Sequence, residues 1–354
     1  MRIQIEQVNS LNGDRLDKKR TWTSSLVIFL VKVFYIPVTF TEEKIIFRLI
    51  NWKTVIYFSY ILGFHLFMMS IYYFDFLKIK HPNKPQTNIQ QFSYICLYTI
   101  KFLSRTFPLI LSHGLQKMKP KRLDNKHLCN PKQTTRIILS CFMYVFGIFI
   151  EVIDLEQLKT LPGVKLTVFG VIHLIVCSVD FFIEALTPFL IQILAQDFII
   201  ECQNVSDKEN FVEILEWYQE FKKSLQLYCL SFYSYYQFIF IFHIYRSFSV
   251  FTTFTNLSVI TSVILLGKIS STFSLVWNIV SLTTTLDSVF DSLHLVKEEI
   301  QERMRMSSPM NENYLKYILE KVKSLKPISA CGYFEISKSI LTSMLSVRYF
   351  GKLK

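Results

Sequence analysis

Residues 54–74 run for twenty-one positions without a single Lys, Arg, Asp or Glu. That length matches the ~20 residues a helix needs to cross the hydrocarbon core of a bilayer. In lipid the backbone must satisfy its own hydrogen bonds, which restricts such a segment to a helix or a closed barrel. The signal recurs along the chain. Apolar stretches follow at about 92–112, 135–154, 165–198, 229–251, 257–282 and 328–349. The expected fold is therefore all-α, a polytopic seven-helix membrane protein. Charged residues make up only 19% of the chain, fewer than a soluble protein of this size carries. The stretch at 165–198 exceeds one crossing and should project beyond the membrane. The run at 24–40 is interrupted by Lys32 and Pro37, and reads as an amphipathic or interfacial segment rather than an extra span.

Seven spans put the termini on opposite faces, and the loop charges decide which is which. Lys and Arg number twenty-five on the side of the N-terminus and seven on the other. The positive-inside rule then places the N-terminus in the cytosol, inverted relative to G-protein-coupled receptors. The net charge of +12 belongs to these loops, so it argues for topology and not for nucleic acid as a partner. Asn256-Leu257-Ser258 is a glycosylation acceptor in the short loop between spans five and six, expected outside. Asn204-Val205-Ser206 has the same pattern but falls on the cytosolic side of this plan.

Four regions follow: 1–53, a cytosolic N-terminus with the interfacial segment; 54–282, six membrane helices; 283–327, a cytosolic helical anchor; and 328–354, a seventh helix cut short at its end. In the third region Leu286, Val289, Leu293, Val296 and Ile300 repeat at helical spacing. Ser307-Ser308-Pro309 breaks that helix. Leu315, Ile318, Val322 and Leu325 then form a narrow apolar seam.

Ionisable residues within spans are costly and mark interior positions. Arg105 lies at a depth similar to Asp180 and Glu184, which permits an intramembrane ion pair with either carboxylate. A helix–helix clamp is the stronger reading of it than a ligand contact. Lys268 sits near the middle of span six, too deep to snorkel, and needs a polar cavity or a partner. With Tyr94, Tyr98, Tyr144, His173, His243 and Arg246 it would line an aromatic, hydrogen-bonding pocket open to the outside. For any one of these aromatics, ordinary packing is the commoner role. Ser339, Thr342, Ser343 and Ser346 recur at steps of three and four, one side of a helix. They would line a wet path, or simply let helices pack closely.

The seven cysteines lie mostly in apolar runs and include no CxxC pair, which argues against a zinc site or a disulfide framework. No HExxH, GxSxG or phosphate-binding glycine loop occurs. The sequence therefore calls for no metal, no cofactor and no enzymatic activity.

The stretch Ala330-Cys331-Gly332-Tyr333-Phe334-Glu335-Ile336, followed by Lys338-Ser339-Ile340-Leu341, resembles the start of the last membrane helix of insect gustatory receptors. Those receptors finish with Thr-Tyr, five apolar residues and Gln-Phe. Here Arg348-Tyr349 stands where Thr-Tyr falls, and Gly351, Lys352 and Lys354 follow. The resemblance covers the hydrophobic layout of the whole chain and this one short motif. It implies a taste receptor in the plasma membrane, acting as a tetrameric ligand-gated, non-selective cation channel. The tetramer would be homomeric or mixed with other gustatory receptors, joined through the cytosolic helical region. A small-molecule tastant would bind among the outer halves of the first six helices. The seventh helix would line the pore with Ser339, Thr342, Ser343 and Ser346. The alternatives are a membrane transporter or a non-conducting accessory subunit.

Overall fold

The computed structural model describes residues 22–33, 36–40, 45–47, 52–78, 99–118, 138–139, 142–143, 145–146, 163–205, 211–253, 259–306 and 309–345. The protein is mostly helical. Its elements in chain order are α1 (Trp22–Val33), β1 (Val38–Phe40), β2 (Ile45–Phe47), α2 (Trp52–Lys78), α3 (Phe107–Leu115), α4 (Gly163–Gln203), α5 (Phe211–Thr253), α6 (Val259–Met306), α7 (Pro309–Ser324) and α8 (Lys338–Leu345).

Three long helices set the frame. At 41, 43 and 48 residues, α4, α5 and α6 reach roughly 60 to 70 Å. The hydrocarbon core is only about 30 Å thick, so each is long enough to cross it and extend well beyond. Two helical stretches among the described residues, Ser178–Gln203 and Thr272–Met306, are long and apolar enough to cross a membrane. The helix α4 is the central element, with almost every side chain from Val179 to Leu194 buried. By contrast α2 buries Tyr57 and Ile61, four residues apart, and exposes Val55, Ile56, Phe58, Leu62 and Leu66. One inward stripe on an otherwise apolar helix is the pattern of a helix facing lipid.

The core is aromatic. Phe181, Phe189 and Phe198 of α4 lie buried with Tyr218, Phe221, Tyr228, Phe232, Tyr233 and Tyr235 of α5. Phe107 of α3 meets Tyr235 edge-on at 5.4 Å between ring centroids, the arrangement that ring quadrupoles favour. On α6, Leu282, Leu286, Val289, Leu293, Val296 and Ile300 are buried at alternating steps of four and three, which keeps one seam turned inward. The amphipathic α7 covers that seam with Leu315, Ile318, Leu319 and Val322. The hydroxyls of α6 largely return to their own backbone. Ser274, Thr283, Thr285 and Ser288 each donate to the carbonyl four residues earlier, so their hydroxyls are satisfied within the helix.

Three expectations are corrected. The fold is not wholly α: β1 and β2 form an antiparallel pair with Val38 opposite Phe47 and Thr39 opposite Ile46. Pro37 cannot continue a helix, and the β-branched residues Val38, Thr39, Ile45 and Ile46 favour strand. The stretch expected as one span at 92–112 is interrupted. A helix over 99–105 stops at a turn on Thr106, whose Oγ1 donates to the Leu103 carbonyl at 2.7 Å. A new helix then starts with Pro108 in its first turn, where a missing N–H is harmless.

The last correction is the largest. The seventh helix begins at Lys338, ten residues later than expected. Residues 328–336 instead form a closed turn, with an antiparallel bridge between Ser329 and Glu335. Ile336 N–H donates to the Ile328 carbonyl at 2.8 Å, and Ala330 N–H to Phe334 at 3.0 Å. Pro327 cannot support a helix entering from α7. Cys331 and Gly332 adopt positive φ, 50° and 81°, a conformation that reverses the chain and that glycine adopts without steric cost.

Candidate functional site

Arg105, Asp180 and Glu184 lie together in the interior. Arg105 Nε reaches Asp180 Oδ1 at 2.6 Å and Nη2 reaches Oδ2 at 2.8 Å. This is the two-pronged guanidinium–carboxylate geometry. Both side chains are buried. Glu184 takes its hydrogen bond from the Tyr235 hydroxyl on α5. Asp180, Glu184 and Thr187 follow each other at steps of four and three, so they share one face of α4. That face meets the 99–105 helix and α5. Tyr57 on α2 closes the cluster by donating to the Arg105 carbonyl at 2.7 Å. Tyr228 donates to Thr187 Oγ1 at 2.9 Å, and Thr187 Oγ1 lies 3.5 Å from the Glu184 carbonyl. Pro188 has no N–H for that carbonyl, and the threonine hydroxyl partly replaces it.

Three more polar ties join α6 to its neighbours. Tyr233 and Thr283 share a hydrogen bond of 2.7 Å. Asn278 Nδ2 donates to the Tyr236 hydroxyl at 3.0 Å. Gln192 of α4 donates to Ser281 of α6. Each lets a polar side chain sit in an apolar interior at little cost, because a partner is already there.

A third cluster surrounds the closed turn before α8. The Tyr218 hydroxyl and Lys222 Nζ, one helical turn apart on α5, both donate to the Lys326 carbonyl, at 2.8 and 2.9 Å. Burial pushes the Tyr218 phenol well above its usual range, so it stays a donor. Tyr233 and Phe334 meet edge-on at 5.8 Å. At the far end of the turn Lys338 Nζ lies 2.9 Å from Asp287 Oδ2 and 3.7 Å from Asp291 Oδ2, both on α6.

Of the residues expected to line a pore, Ser339 lies on the exposed side of α8, with its Oγ 2.7 Å from Ser337 Oγ. Ile340 and Leu341 pack toward the core. Thr342 and Ser343 belong to α8 by backbone; their side chains, and Ser346, lie outside the described residues. Of the expected pocket, His173 falls on α4, His243 and Arg246 on α5 and Lys268 on α6 by backbone alone. Tyr94, Tyr98, Tyr144 and Asn256 lie outside the described residues. Among the described residues no group of three or more His, Cys, Asp or Glu is placed to hold a metal ion.

Sequence reasoning missed Tyr57, Tyr228 and Tyr235, whose hydroxyls complete the buried cluster. In a chain with 18 tyrosines nothing local separates them from packing residues. It also missed Asp287 and Asp291. Their four-residue spacing was a readable sign of a shared face, but their partner is set by tertiary contact.

No family model matches the sequence, and no curated protein matches it. A solved structure does match: the insect olfactory receptor OR5 from Machilis hrabei. The two are similar over 92% of this chain and 95% of that one, with a TM-score of 0.59 and 10% sequence identity. At that identity the likeness is one of architecture, and the fold of this chain is that of an insect olfactory receptor.

Proposed function

We propose that the chain is a subunit of an insect chemoreceptor, a tetrameric ligand-gated channel that passes small cations without strong selection. The observation that carries this reading is the fold shared with an insect olfactory receptor across nearly the whole chain. Gustatory rather than olfactory identity rests on the motif from Ala330 to Ile336 and on Lys338-Ser339-Ile340-Leu341. Seven spans, a cytosolic N-terminus and a plasma-membrane location belong to the same reading, supported by the excess of Lys and Arg on one side.

In this reading the four copies of α8 surround one pore. Ser339, Thr342, Ser343 and Ser346 form its wet wall, and hydroxyls rather than carboxylates give weak discrimination among cations. A tastant binds nearer the outside, among Tyr94, Tyr98, Tyr144, His173, His243, Arg246 and Lys268. It opens the pore only to the extent that it binds the open state better. Each tenfold difference in affinity supplies about 1.4 kcal/mol of bias. The cluster of Arg105, Asp180 and Glu184 is the fixed part against which such motion occurs.

A non-conducting accessory subunit is the second reading. It is favoured by Gly351, Lys352 and Lys354, which stand where the gustatory pattern is apolar.

Whole-cell recording from cells expressing the full chain tests the first reading. A Ser343→Cys variant should lose ligand-evoked current on exposure to a charged thiol reagent, whereas Leu341→Cys should not. Equal block at both positions removes the hydroxyl stripe as the pore wall. Absence of current with any tastant, alone or with other gustatory receptors, leaves the accessory reading.

A further inference from the structure

The turn that leads into α8 is held at both ends by different helices. At its base, α5 grips the Lys326 carbonyl through Tyr218 and Lys222. Between its ends it is closed on itself by the Ile336 N–H to Ile328 carbonyl bond, with Ile328 and Ile336 both buried. The turn is thus tied to α5 at its base and to itself across its mouth. The chain leaves the turn at Ser337 and enters α8 at Lys338.

Lys338 is the first residue of α8, and its ammonium reaches the two carboxylates of α6 at unequal distances. It is bonded to Asp287 at 2.9 Å and stands 3.7 Å from Asp291. The two acids are four residues apart, about 6 Å along the helix axis and on the same face. Asp287 is 15% exposed, whereas Asp291 and Lys338 are 63% and 62% exposed. The nearer acid lies in the groove between the helices and the farther one stands in solvent. A flexible four-carbon stem carrying a point charge passes easily between two such acceptors.

We infer that Lys338 is a positioning residue for α8, and that Asp287 and Asp291 give it two resting places on α6, one turn apart. The inner place holds the helix as seen here. The outer place accepts the ammonium when the helix shifts, so the charge never has to be abandoned between the two. This rests on the reading of α8 as the moving wall of a pore. The tie between α6 and α8 stands without it.

Ser339→Cys, in the full chain with exposed Cys331 changed to Ser, reports the position of α8 without any need for current. Its rate of reaction with a small charged thiol reagent is measured in permeabilised membranes. Lys338→Gln and the double change Asp287→Asn with Asp291→Asn should each raise that rate by roughly threefold to fivefold. Lys338→Arg should keep the original rate, and the swap Lys338→Asp with Asp287→Lys should restore it. Asp291→Asn alone, at an exposed position, should leave yield and folding unchanged and alter the rate by less than the double variant. Equal rates in all variants overturn the positioning role, whatever the currents do. Changed rates that neither Lys338→Arg nor the swap brings back also overturn it, since a charge-specific tie requires that recovery. If the rates change as stated and the unmodified chain carries no current, the tie stands and the channel reading fails.

Discussion

Arg105 and Asp180 are 75 residues apart in sequence and face each other through two parallel hydrogen bonds in the interior of the protein. A guanidinium buried beside α4 is tolerable only with that partner. Removing one side leaves an unpaired charge, at a cost of about 3 to 5 kcal/mol. Asp180→Asn and Arg105→Met should each sharply lower the yield of monodisperse protein and its melting temperature in detergent. Replacing both, Arg105→Met with Asp180→Leu, should recover much of the loss. If each single change is harmless, the pair is not the clamp that its geometry indicates.

The neutral tie between Asn278 and Tyr236 should matter less. Tyr236→Phe removes one hydrogen bond of 3.0 Å, a loss on the order of 1 kcal/mol. Tyr235→Phe takes the donor from a buried carboxylate, where hydrogen bonds to charged groups are worth about 1.5 to 3 kcal/mol. The ordering is the prediction: thermal unfolding should show Tyr235→Phe more damaging than Tyr236→Phe, and the reverse order would mean that Glu184 finds another donor.

Gly114 marks a close crossing of α3 and α5. A Cβ placed there would lie 2.0 Å from the backbone oxygen of Ser224, and backbone cannot swing aside as a side chain can. Gly114→Ala should force the helices apart and abolish surface expression. Gly63 on α2 has nothing within 4 Å of a built Cβ. Gly63→Ala should be neutral, or stabilising by up to about 1 kcal/mol, since alanine is the better helix former. Flow cytometry on tagged cells compares the two directly.

Gly332 tests the turn before α8. Its φ of 81° is in the left-handed region, yet space around it is open. Gly332→Ala therefore meets strain without a clash, about 1 to 2 kcal/mol. The protein should still fold. Its ligand response should change if the turn transmits motion to α8, and should be unaltered if the turn is only a connector.

The sequence announced the helices well where one period ran unbroken. The seam of Leu286, Val289, Leu293, Val296 and Ile300 is buried as a single face of α6, because a stripe recurring at 3.5 residues has one way to turn inward. It failed where local chemistry interrupts an apolar run. The turn at Thr106 and the left-handed pair Cys331 and Gly332 each broke or delayed a helix within an otherwise continuous hydrophobic segment. Hydropathy sums side chains and is blind to a missing N–H or a positive φ.

The candidate site divides along the same line. Arg105, Asp180 and Glu184 were visible because charge in an apolar run is conspicuous. Which acid Arg105 would choose was not, since both lie on one face of α4 and differ by a single turn. Tyr235, packed from α5, occupies Glu184 and leaves Asp180 to Arg105.

By itself the sequence determined that this chain is helical, apolar on its outer faces and charged at a few interior points. Those properties follow from composition and period, and hold for any packing of the segments. Only the tertiary structure decided which charge meets which, where α8 begins and what holds it. Those outcomes depend on residues 50 to 100 positions apart arriving at the same place, as Lys338 does at Asp287, and no local pattern encodes that arrival.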